Sequence, residues 1–99
     1  MIQVAGSFRV PVENLEAIRP LMRAVIASTV QEDGCLTYSY AEDVSEPGLI
    51  RVFEQWRDGD CLAAHFTTAH MRKWVEERAG FGLFGRDIRT WEVGEGKPV

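Results

Sequence analysis

Cysteine is scarce. The chain has two in 99 residues, Cys35 and Cys61, and no Cys-x-x-Cys pair. That excludes a disulfide scaffold and leaves two small packed residues in a reducing compartment. Histidine is equally rare, with His65 and His70 alone. Five residues apart on one continuous helix, they would point about 140° apart and could not share a ligand. No metal-ligand spacing is present, so no metal is expected. The chain also lacks His-Glu-x-x-His, Gly-x-Ser-x-Gly and a glycine-rich phosphate loop after a strand; Phe81-Gly-Leu-Phe-Gly85 follows a helix instead. These absences remove zinc proteases, serine hydrolases and dinucleotide-binding units.

Basic charge is in deficit too. Lys plus Arg is 11 against 15 Asp plus Glu, a formal net charge of -4. Nucleic-acid partners need a basic stripe, so none is expected. No charge-free stretch approaches the roughly 20 residues of a membrane span. The first ten residues carry neither a basic stretch nor a long apolar run. A soluble, cytoplasmic protein without a membrane partner is the expectation.

What is present is ordinary globular composition, 45% hydrophobic and 26% charged. One domain over residues 1–99 is expected, with an ordered core over about 2–93 and a loose tail over 94–99. Residues 2–10 alternate as a strand that Pro11 ends. From Glu13 to about Glu32 the apolar period becomes helical, with Pro20 set to kink the helix or mark off a first turn. Gly34 suits a left-handed helix stop. Cys35–Glu42 and Leu49–Trp56 alternate as a hairpin around Ser45-Glu-Pro-Gly48. Leu36, Tyr38 and Tyr40 should share one face, and Ile50, Val52, Glu54 and Trp56 another. Asp58 and Thr68 are N-caps for two helical pieces broken near Thr67-Thr68. Arg86–Val93 is a last strand.

Strand, helix, strand, strand, helix, strand is the split βαβ order of an α+β, ferredoxin-like fold. Both helices would cover one face of a four-stranded antiparallel sheet. Aromatic residues occur in every strand, so some aromatic surface stays exposed on a single chain. That predicts a homodimer, sheet face against sheet face, as a dimeric α+β barrel.

Chemistry concentrates between Cys35 and Phe66. Glu54 and Trp56 share a strand face, and His65 follows on the next helix. A carboxylate, an imidazole and an indole can face one concave space, where His65 would exchange a proton near neutral pH. The competing reading is structural, with Glu54 paired across the sheet and His65 closing a turn.

These residues resemble the antibiotic biosynthesis monooxygenase (ABM) family. The matching stretches are Glu32-Asp-Gly-Cys-Leu-Thr-Tyr38, Phe53-Glu-Gln-Trp56, Leu62-Ala-Ala-His65 and Thr68-Ala-His-Met71. In motif the chain is most similar to bacterial quinol monooxygenases. The resemblance implies a dimeric α+β barrel and a cofactor-independent oxygenase of small quinol or phenol rings, with dioxygen as co-substrate. It implies His65 as proton acceptor and Glu54 as its orienting carboxylate. Phe8, Tyr38, Trp56, Phe66 and His70 would meet the substrate. The haem-degrading branch carries other residues where this chain has Phe8, His65 and Val75. Two alternatives stand beside the oxygenase: a non-catalytic small-ligand-binding module, and an isomerase of a small phosphorylated metabolite. An isomerase would need arginines for phosphate, and Arg51 and Arg89 are the strand candidates.

Overall fold

Side-chain alternation places the strands, and the computed structural model, which describes Met1–Val99, follows it closely. Strand β1 (Ile2–Arg9) leads through a 3-10 turn (Val12–Asn14) into helix α1 (Leu15–Thr29). Strands β2 (Cys35–Glu42) and β3 (Leu49–Trp56) form the hairpin. Helix α2 (Gly59–His65), helix α3 (Ala69–Arg78), a 3-10 turn (Ala79–Phe81) and strand β4 (Phe84–Glu92) complete the chain. The sheet is antiparallel throughout in the order β2-β3-β1-β4. This is the α+β, ferredoxin-like arrangement. No helix is long and apolar enough to cross a membrane.

Three details depart from the sequence expectation. Pro20 lies inside α1 without dividing it, and the separate first turn is Val12–Asn14, set off by Pro11. Strand β4 begins at Phe84, two residues before Arg86. Leu36 does not share a face with Tyr38. Cys35 opposes Trp56 and Thr37 opposes Gln55, so Leu36 is the extra residue of a bulge. It swings outward, and Cys35 packs inward against Trp56 and its neighbours.

The inward rows of the sheet meet the helices in two apolar clusters. The larger joins Phe8, Ile50 and Val52 to Ile18, Met71 and Trp74. The smaller joins Val4, Tyr38 and Trp56 to Cys61 and Leu62. On the opposite face Phe53 and Trp91 stay exposed among polar neighbours. Gly34, at φ +78°, turns the chain from α1 into β2 against the Cys61 side chain, where a Cβ has no room.

A carboxylate-bridged histidine pair as the candidate site

Helix α2 is short because its ends are fixed. The Asp58 carboxylate accepts from Cys61 N at 2.9 Å and starts it. Past His65 the Thr67 hydroxyl donates to Ala64 O at 2.7 Å. The Thr68 hydroxyl donates to His65 O at 2.8 Å and accepts from Met71 N at 3.3 Å. Thr68 therefore ties the end of α2 and starts α3. The break re-aims His70, so the divergence expected on an unbroken helix does not occur. Both histidines reach Glu32: His65 Nδ1 and His70 Nε2 each lie 2.7 Å from its Oε2.

A carboxylate accepts hydrogen bonds and does not donate them, so each contact carries an imidazole N–H. In the neutral ring this contact fixes His65 as the Nδ1–H tautomer, with its lone pair on Nε2. That Nε2 is buried and has no hydrogen-bond partner, in a residue only 1% exposed. An unmet buried acceptor costs roughly 1–3 kcal/mol. Aromatic rings enclose the imidazole, with centroids at 5.0 Å (Trp56), 5.3 Å (Tyr38) and 5.4 Å (Phe66).

Glu54 sits elsewhere in the network. Its Oε1 accepts from the buried Trp56 Nε1 at 2.9 Å. It does not hold His65; Glu32 takes that place. Burial pushes the Glu54 carboxyl above the ordinary carboxylate range, against the opposing pull of the Trp56 N–H. A carboxyl raised on folding leaves stability intact below its unfolded value, near 4.5, and removes it as pH rises through the folded value. Glu54→Gln keeps an acceptor for Trp56 and removes the charge. Its melting temperature should equal wild type near pH 4 and exceed it increasingly toward pH 8, read by thermal melts at both.

The Tyr38 and Tyr40 hydroxyls share one hydrogen bond at 2.8 Å, and burial drives both pKa values upward. Neither acts as a base near neutral pH. Phe8 belongs to the larger cluster and meets Tyr40 edge-on at 5.7 Å rather than joining the imidazole. Arg51 and Arg89 are exposed and paired, with Asp43 at 3.2 Å and Asp87 at 2.9 Å, so neither offers a phosphate grip at this site. The structure thus gathers Tyr38, Trp56, His65, Phe66 and His70, and adds Glu32. A cleft of about 370 Å³ begins at Phe66 and runs past Met71 and Val75 to Arg78 and Arg86. His65 is buried, does not line this cleft, and packs against the Phe66 ring.

Glu32 is the residue that sequence reasoning passed over as part of a helix stop. A signal existed. An acidic side chain just beyond a helix C-terminus faces unfavourable dipole ends. Its backbone N–H still donates to Thr29 O at 3.0 Å, which holds it against α1.

The sequence model of the antibiotic biosynthesis monooxygenase family matches residues 1–77. An uncharacterised protein of Synechocystis is 30% identical over 94 residues; the match covers 95% of this chain and 64% of that relative, so the chain spans under two thirds of it. A candidate antibiotic biosynthesis monooxygenase from Deinococcus radiodurans superposes with a TM-score of 0.92 at 25% identity, over 100% of this chain and 98% of that one. A conserved protein from Methanosarcina mazei superposes at 0.82 with 21% identity, over 91% and 89% of the two chains, and shows the shared fold.

Proposed function

Because the chain belongs to the antibiotic biosynthesis monooxygenase family, we propose that it is a cofactor-independent monooxygenase of small quinol-type aromatic rings. The observation that carries this reading is the His65 imidazole, with Nδ1 tied to Glu32 and a bare, buried Nε2. This is the arrangement of an oriented general base. A ring hydroxyl gives its proton to Nε2. The resulting phenolate passes one electron to dioxygen, the radical pair joins as a ring peroxide anion, and the His65 imidazolium returns its proton to give the hydroperoxide. Loss of water leaves one oxygen atom on the ring as a carbonyl. The substrate supplies all four electrons, so the reaction balances without an external reductant. The protein's part is to orient the ring against Tyr38 and Trp56 and to exclude water. Substrate enters from the cleft by displacing Phe66, which is exposed.

The test is oxygen consumption with hydroquinones, naphthohydroquinones and anthrones on metal-stripped protein. Uptake above autoxidation supports the reading; none with any ring overturns it. One observation favours a second reading, ligand binding without turnover: His65 is buried and packs against the Phe66 ring. Thermal stabilisation by aromatic ligands with no oxygen uptake would select it.

The working unit is a homodimer closed over the exposed Phe53–Trp91 face. Light scattering at micromolar concentration should give twice the mass of one chain. A mass near one chain would remove the dimer.

A further inference from the structure

The three side chains that hold the base also converge as electron-pair donors on one point. Glu32 Oε2 lies 2.7 Å from both His65 Nδ1 and His70 Nε2, and all three atoms fall within 4.8 Å of one another. We propose that Glu32, His65 and His70 form a binding site for a divalent transition-metal ion of the Zn²⁺ or Co²⁺ class.

Two imidazoles and one carboxylate are a donor set that such borderline ions select. At metal–ligand distances of about 2.0–2.1 Å, tetrahedral geometry sets donor atoms about 3.3 Å apart. The two Glu32–histidine contacts, at 2.7 Å, open by about half an ångström to reach that spacing, and the two imidazole nitrogens, within 4.8 Å of each other, close toward it. The ligands come from three segments: the turn after α1, the end of α2 and the first turn of α3. Thr68 locks the second to the third through His65 O and Met71 N. With three protein ligands the ion keeps an open position.

Two further observations point the same way. His65 Nε2 is a buried lone pair with no donor while Nδ1 holds the ring proton. An ion on Nδ1 moves that proton to Nε2, where the surrounding rings of Tyr38 and Trp56 tolerate an N–H better than a bare lone pair. There is also a path in. An open hollow of about 520 Å³ is lined by Glu32 with Asp33, Asp58 and Asp60. Arg57 engages Asp33 and Asp58, at 2.8 and 3.6 Å, and Asp60 has no such partner. An acidic mouth concentrates cations.

The filled site and the active base exclude each other, since the ion converts Nε2 from acceptor to donor. That consequence rests on the oxygenase reading; the site does not.

The test titrates chelator-stripped full-length protein, without substrate, with Zn²⁺ in a calorimeter and with Co²⁺ by visible d–d absorption. Wild type should bind one ion with micromolar or tighter affinity. His70→Ala and Glu32→Gln should each weaken it by more than about tenfold, since even outer-shell losses reach 10–100-fold. A smaller loss in either variant, or no saturable binding by wild type, overturns the site. Circular dichroism verifies each fold, and His70→Gln replaces His70→Ala if the latter does not fold. Oxygen uptake plays no part in this readout, so failure here leaves the oxygenase reading intact.

Discussion

Oxygen uptake by the His65→Ala variant should fall about 10²–10⁴-fold below wild type, the usual worth of a positioned general base. His65 is the residue whose one nitrogen is fixed by Glu32 and whose other is free. Tyr38 and Tyr40 have pKa values pushed up by burial and cannot replace it. Stability falls less, because the site loses one imidazole and its Glu32 contact while His70 still holds Glu32. Rates are compared per folded molecule, well below both melting transitions. Glu32→Gln should lose less activity than His65→Ala, since it disturbs the tautomer and leaves the imidazole. Uptake and stability declining in equal measure would make His65 a structural residue and end its assignment as base.

Trp56→Ala should be the most destabilising change in the molecule. The side chain is wholly buried. Truncating such a residue costs about 3–5 kcal/mol. The variant also removes the indole N–H that the buried Glu54 carboxylate uses, which adds about 1–3 kcal/mol for an orphaned polar group. Domains of this size are stable by about 5–15 kcal/mol in all, so the loss is a large share. At about 4–8 °C per kcal/mol, the melting temperature should drop by tens of degrees. Trp56→Phe separates the two parts: it keeps most of the packing and loses the N–H. A drop of less than about 10 °C in Trp56→Ala would mean that the smaller cluster refills the gap.

The strands were legible because a period of two is a local property. Leu49–Trp56 alternates in sequence, and β3 has those bounds. The bulge at Leu36 was not legible, because an extra residue on one strand is defined only by its partner. Asp58 and Thr68 were readable as caps, since a cap needs only residues two or three positions away. The same break, once read, still did not reveal where His70 points. That depends on Glu32, 33 residues before His65 and 38 before His70. Sheet-face sharing placed Glu54 beside Trp56, and the family resemblance implied it as the orienting carboxylate. Its partner is instead the indole two residues on, the nearest donor on that face. Phe8 shows the limit of face assignment: it points inward, yet joins the other cluster.

The brevity of α2 governs how long the site survives in any one molecule. Seven residues are below the roughly 12–15 at which an isolated helix begins to persist in water. Its turns hold only while Cys61, Leu62 and His65 stay buried. An opening that lifts this segment exposes its amides to exchange and parts His65 from Glu32 in the same event. Hydrogen exchange in α2 therefore reads out the same openings: the rarer they are, the slower its amides exchange and the larger the share of time in which the histidine–carboxylate cluster is intact.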